Sequence, residues 1–214
     1  VSPRTFPILV RAGSRLSQLR FRRGSPNHSD AETRRLHEQV GLVNGAANID
    51  QGLGVSIDLR GDPKSGLIGY RGKRHAGLID VDRKAALSIS QYCEPIYHGD
   101  IIEIILVPVE FYILASREAV TIPASHAAEM VPFNPLVGEF RVHYAGFFDP
   151  GFGMSDAGGG GSRAVLEVRS REVPFILEHG QIIGRLIYER LTDVPETLYG
   201  ADLNSNYQAQ GLKL

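Results

Sequence analysis

The sequence predicts an all-β protein, mainly strands with a few short helices, folded as a sandwich or jelly roll. Three observations predict it. From about Ala46 onward the apolar residues come in short runs bounded by Gly, Pro or Asp, rich in the β-branched and aromatic types that suit a pleated surface. Helix signals become sparse after one segment near the N-terminus. One hairpin pattern, lastly, is written twice in the chain.

The duplicated pattern lies at the start. Val1–Arg23 aligns without a gap on Val168–Arg190, with identity at Val1/Val168, Arg4/Arg171, Pro7/Pro174, Gly13/Gly180, Leu19/Leu186 and Arg23/Arg190. A shared Pro, an apolar run, a turn Gly and a second apolar-basic run describe one hairpin. Residues 1–24 are therefore expected to be the terminal hairpin of a first repeat whose remainder is absent, the chain opening on Val1 rather than Met. Residues 25–45 read as a linker helix. Ser29 and Glu32 form a capping box, Leu36, Val40 and Val43 share one face, and Gly41 stops the helix. Residues 46–214 make the second repeat. Its expected strands are Val55–Leu59, Leu78–Val81, Ile101–Val107, Phe111–Leu114, Ala119–Ile122 and Phe140–Phe148, with Gly158–Gly161 at a hairpin tip.

Composition excludes several function classes. The chain has 214 residues, 43% apolar and 22% charged, with a net charge of −1, so no global field recruits nucleic acid or an acidic membrane. No apolar run is long enough to span a bilayer, and no signal peptide opens the chain, so the expected compartment is the cytoplasm. Cys93, the single cysteine, allows neither an internal disulfide nor the cysteine-based zinc site of the zinc-dependent base deaminases. A Walker loop and a G-x-G-x-x-G fingerprint are also missing. The Arg15, Arg20, Arg22 and Arg23 run reads as an outward face or as repeat-to-repeat salt bridging. The basic stretch Tyr70–His75 reads as a solvated hairpin before it reads as a phosphate site, and His143 as a packed histidine.

Two segments stand out for chemistry. Ala145–Phe152 reads A-G-F-F-D-P-G-F, and Arg163–Val168 reads R-A-V-L-E-V. Strand alternation puts Val165, Glu167 and Arg169 on one face, with Leu166 and Val168 on the other. A carboxylate inside an apolar strand is costly unless it is paired, wet or functional. Composition alone favours pairing with Arg163, Arg169 or Arg171. The sharper reading is a carboxyl whose raised pKa suits it to take a proton from water and hand it on.

The order of these motifs carries a resemblance. A-G-F-F-D-P-G-F, then V-L-E-V, then P-F-I-L-E-H-G-Q-I-I-G-R-L-I-Y-E-R-L, and a tail T-L-Y-G with N-Y-Q-A-Q-G, resemble the C-terminal half of dCTP deaminases. F-Y-I-L-A-S-R-E-A-V-T-I-P-A and V-S-I-D-L-R resemble earlier strands of that family, so the likeness runs from about Val55 to Leu214. It implies a dUTPase-like distorted jelly roll, or β-clip, and the duplicated hairpin points to the family's long, two-copy form. It implies hydrolysis of dCTP to dUTP and ammonia without zinc, with magnesium riding on the triphosphate, dTTP as an inhibitor and a homo-oligomer with trimer-like packing of repeats. Glu167 falls on the catalytic carboxylate. Val165 and Leu166 fall where backbone groups read the pyrimidine edge. Asp149 falls on the residue that holds the 3′-hydroxyl, and Tyr199, Asn206 and Gln210 fall on the tail over the triphosphate.

Two departures accompany the likeness. Asn206 stands where the family usually has Lys. The Val131–Phe140 stretch, V-P-F-N-P-L-V-G-E-F, lacks the Ser-Ser and Arg of the family's phosphate loop, so the first repeat is expected to supply that loop and this chain alone is not expected to turn over. Two other functions remain open: a dUTP diphosphatase, disfavoured by a tail without a Gly-rich, Phe-containing arm, and a non-catalytic nucleotide-binding or assembly module.

Overall fold

In the computed structural model the described residues are 3, 5–16, 19–83, 86–99, 102–132, 140–142, 147–154, 160–170 and 172–198. The one long helix forms where local chemistry demands it. α1 spans Asp30–Val40. The Ser29 hydroxyl accepts the Glu32 amide while the Glu32 carboxylate accepts the Ser29 amide, and Gly41 closes the end in the left-handed region. Thr33 and Leu36 are buried, but Val40 is 49% exposed. The expected apolar face is thus corrected at its last turn. The left-handed step at Gly41 redirects the chain, and Leu42 and Val43 enter the core in place of Val40.

The rest is mainly strand, as the sequence predicts. In chain order the strands are β1 (Ile8–Leu9), β2 (Leu53–Ser56), β3 (Leu67–Gly72), β4 (Ile79–Asp80), β5 (Cys93–Tyr97), β6 (Glu103–Leu106), β7 (Tyr112–Val120), β8 (His126–Pro132), β9 (Phe140–Val142), β10 (Phe147–Phe148), β11 (Ser162–Ser170), β12 (Phe175–Glu178) and β13 (Ile182–Arg190), with a short helix α2 (Ile89–Tyr92) before β5. Two main sheets form, β5-β3-β7-β11-β9 and β10-β8-β13-β2, beside the two-stranded ribbons β12-β6 and β1-β4. The shared core takes Leu53 and Val55 from β2, Leu114 from β7, Leu166 and Val168 from β11, and Leu186 and Tyr188 from β13. Burying each such aliphatic side chain stabilises the fold by about 1.5–3 kcal/mol. Tyr188 is fully buried, and its hydroxyl donates to the Thr121 carbonyl at 2.9 Å, which satisfies its one polar atom.

Three expectations about strands change. Phe111–Leu114 and Ala119–Ile122 are not separate strands; Tyr112–Leu114 and Ala119–Val120 lie on the single strand β7. A register shift between Arg163 and Val165 on the partner strand absorbs the intervening polar residues. There the buried Ser116 hydroxyl accepts the Ala164 amide and donates to the Glu118 carbonyl. Phe140–Phe148 is not one strand either, because its two ends pair in different sheets, β9 with β11 and β10 with β8. The two hairpin copies also differ. β12 pairs with β6, and β13 lies between β8 and β2, whereas β1 runs parallel to β4 and Leu19–Arg23 forms no ladder.

Candidate active site

β11 places the candidate carboxyl. Along it, Ser162, Ala164, Leu166, Val168 and Ser170 face the core, while Arg163, Val165, Glu167 and Arg169 alternate onto the other, half-buried face. β7 pairs Glu167 with Ile113, and β3 pairs Ile113 with Tyr70, so a row Tyr70–Ile113–Glu167 crosses three strands. An apolar neighbour on the adjacent strand withholds hydration without offering a donor. Burial accordingly raises the Glu167 pKa above the ordinary carboxylate value, opposed only by the charge of Arg169.

Two of the arginines expected to neutralise Glu167, Arg163 and Arg169, have other neighbours. Arg163 forms an ion pair with Asp58, which is 5% exposed and also accepts the Arg60 amide at 2.9 Å. His179 approaches Asp58 at 3.4 Å, but burial lowers its pKa and its Nδ1 already accepts the Leu59 amide, so that approach is not an ion pair at neutral pH. Arg169 lies over the Phe111 ring at 4.9 Å from its centre. Arg171 lies outside the described residues. Glu167 makes no hydrogen bond or ion pair with any described residue.

A cavity of about 560 Å³ opens one step along the same face. The Gly72 amide donates to the Phe111 carbonyl, and Gly72, Phe111 and Arg169 form the row next to Tyr70–Ile113–Glu167. Lys73, Arg74, His75 and Glu110 complete much of the lining. This contrasts with the reading of Tyr70–His75 as a simple solvated hairpin. Its Lys73, Arg74 and His75 border a concave site, which sequence could show only as the run Y-R-G-K-R-H.

The remaining expected site residues fall in three places. Val165 and Leu166 immediately precede Glu167 on β11, and the edge of β11 toward β9 is paired only over Val168–Ser170 among the described residues. Asp149 lies after β10, on the other main sheet, and its carboxylate accepts from Arg20 at 3.1 Å. The D-P-G-F-G run around it is a tight turn. The Phe152 amide donates to the Asp149 carbonyl and the Gly151 amide to the Ile122 carbonyl, while Gly153, at φ +72°, has no room for a Cβ against the Val120 carbonyl. That motif therefore has a structural reason to exist beside any binding role. Tyr199, Asn206, Gln210, His143 and most of the Val131–Phe140 loop lie outside the described residues.

These features define a dUTPase-like β fold with a strand-borne, poorly solvated carboxyl beside a cation-lined cavity. The family model for the C-terminal domain of 2′-deoxycytidine 5′-triphosphate deaminase matches residues 29–214, and the model for the N-terminal domain of that family matches residues 1–25. The chain belongs to the 2′-deoxycytidine 5′-triphosphate deaminase family. A crystal structure of 2′-deoxycytidine 5′-triphosphate deaminase from Agrobacterium tumefaciens is similar at a TM-score of 0.84 and 62% sequence identity, over 88% of this chain and 57% of that one. The chain thus spans little more than half the length of that relative. A search of curated proteins finds no match.

Proposed function

We propose that this chain is the Glu167-bearing part of an enzyme that hydrolyses dCTP to dUTP and ammonia. The observation that carries the reading is the state of Glu167: half-buried, raised in pKa by its surroundings, without a described partner, and one row from a cavity of nucleotide-compatible size. A carboxyl in that state can remove a proton from water as the oxygen attacks cytosine C4. It then delivers the proton to the departing amine, so that water is consumed and ammonia released. Val165 and Leu166 would offer backbone groups to the pyrimidine edge, Asp149 would take the deoxyribose, and Tyr199, Asn206 and Gln210 would close over the phosphates.

Magnesium in this reading arrives on the triphosphate, held by phosphate oxygens and water. We assign dTTP the role of inhibitor. Trimer-like packing of repeats has support from the outer face of the β6-β12 ribbon, where the cross-strand pair Ile105 and Ile176 is 55% and 52% exposed. No helix among the described residues is long and apolar enough to cross a membrane. The test is Glu167→Gln in the full-length protein, assayed for ammonia from dCTP and pyrophosphate from dUTP. Ammonia release should fall by about 10²–10⁴-fold or more while dCTP binding persists. Undiminished release would end the proposal, and pyrophosphate release from dUTP would point to the diphosphatase chemistry of the wider superfamily.

A further inference from the structure

We propose that Arg20, on the N-terminal segment, is a positioning residue for the sugar: it aims the Asp149 carboxylate at the 3′-hydroxyl of the nucleotide. The proposal rests on the reading of Asp149 given above and adds what sets the direction of that carboxylate. Main chain and side chain are fixed separately here. The turn bonds made by the Phe152 and Gly151 amides hold the backbone around Asp149, but they do not reach its carboxylate. Arg20 does reach it, donating from Nη2 to Oδ1 at 3.1 Å. A carboxylate has about four acceptor positions, so a hydroxyl can be taken beside the guanidinium. The Asp149 side chain is 26% exposed against 15% for Arg20, so the acid meets solvent while the base that aims it is largely covered.

Arg20 is itself held in place. Its guanidinium lies over the Phe147 ring, 4.6 Å from the centre, and its Nη1 faces Glu189 of β13 at 3.8 Å. Phe147 belongs to β10, the strand that leads into the Asp149 turn. A flat cation resting on that ring presents its edge in one direction, and the direction is that of Asp149. The placement has a cost. Nη1 is buried and makes no hydrogen bond with any described residue, so the side chain is not set to satisfy the most donors.

The two hairpin copies diverge at this residue. In the gapless alignment Arg20 stands opposite Ile187, and Arg22 opposite Glu189. Ile187 is a paired strand residue of β13, in register with Glu129 on β8, where a β-branched side chain fits. Arg20 has no ladder to serve and turns to the acid after β10 instead. Hairpin packing does not call for an arginine there; a carboxylate that must be aimed does. Arg20 lies in the stretch matched by the family's N-terminal domain, residues 1–25, and Asp149 in the C-terminal match, residues 29–214. The first segment thus takes part in recognising the sugar at a site carried by the second.

The experiment compares ammonia release from dCTP and from 2′,3′-dideoxycytidine 5′-triphosphate, which lacks only the 3′-hydroxyl, in the full-length protein and in Asp149→Ala, Arg20→Gln and Arg22→Gln. The parent should prefer dCTP by about tenfold or more in kcat/KM, and Arg20→Gln should shrink that preference about fivefold or more, through dCTP alone. A ratio of two substrates on one preparation does not depend on how much of the protein is folded. Arg22→Gln breaks the neighbouring contacts to Glu129 and Glu189 and should keep the preference of the parent. An unchanged preference in Arg20→Gln overturns the proposal, as would an equal loss for both substrates, the mark of a plain anchor. An Arg22→Gln variant that loses the preference as fully also overturns it, because docking of the segment would then be the cause. Asp149→Ala separates the two levels: if it keeps the preference, the sugar reading of Asp149 fails and this inference with it, whereas if it alone loses the preference, only the role of Arg20 fails.

Discussion

Glu167 on β11 and Glu189 on β13 are both carboxylates withdrawn from water, and the protein treats them in opposite ways. Glu189 is the deeper, 2% exposed, and it is met from outside by the N-terminal segment: Arg22 at 2.6 Å and Arg20 at 3.8 Å. Both guanidinium groups also lie beside Phe147, and each has a further acid, Asp149 for Arg20 and Glu129 for Arg22. Glu167 is less buried and has no such escort among the described residues. Depth of burial therefore does not mark a reactive carboxyl. What separates the two is that Glu189 meets cationic donors, while at Glu167 the desolvation cost stands as a raised pKa.

The largest effect follows from removing the escort. Arg20→Ala combined with Arg22→Ala strands a buried charge at Glu189, and stranding one partner of a buried pair costs about 3–5 kcal/mol. Urea denaturation should show that loss at neutral pH. A loss under about 1 kcal/mol, the level of surface ion pairs, would mean that Glu189 is hydrated in solution and that the contrast with Glu167 is false.

The reverse holds at Glu167, where removing the charge should stabilise. Its folded pKa is raised, so the folded state binds the proton more tightly than the unfolded chain. The parent protein then loses stability as pH rises from the ordinary carboxylate range through that higher value, and the full cost is present above it. Glu167→Gln should gain about 1 kcal/mol at neutral pH, with the gain vanishing in acid, the usual exchange of stability for function. Thermal melts across that pH range measure it. A destabilised glutamine variant would indicate that the carboxylate has a structural partner.

How far sequence reaches is set by the distance between interacting residues. The capping box and the Gly41 stop lie within one helix and were legible as written. So was the alternation that turns Glu167 away from Leu166 and Val168, because a period of two needs no partner. The fate of the arginines was not legible. Arg163 leaves Glu167 for Asp58, 105 residues earlier, and Arg22 finds Glu189, 167 residues later. Repeat-to-repeat salt bridging was among the expectations for the arginine run, but which acids it would meet depends on sheet pairing. The cavity is hidden for the same reason, since Thr5, Lys73, Glu110 and Arg169 become neighbours only after β3, β7 and β11 align.

A third carboxylate sharpens the comparison from the other side. Asp30, the first residue of α1, accepts the amides of Gln51 and Gly52, each at 2.8 Å, and so fastens the loop that leads into β2. The loop needs fastening. Gln51 sits at φ 55°, and a Cβ at Gly52 would meet the Leu186 carbonyl at 2.9 Å. The amide bonds from Gln51 and then Gly52 hold the Asp30 pKa below its ordinary value, the opposite of Glu167. The stability this contributes is whole above the unfolded-state pKa and is lost as pH falls through the lower, folded one. Asp30→Asn keeps one acceptor oxygen for two amides and should cost about 0.5–1 kcal/mol at neutral pH, the smallest of these effects. Its difference from the parent should shrink on acidification as a cost, while that of Glu167→Gln shrinks as a gain. Melts of the two variants over one pH series should therefore converge on the parent from opposite sides, and convergence from the same side would refute the distinction between a carboxylate held by donors and one deprived of them.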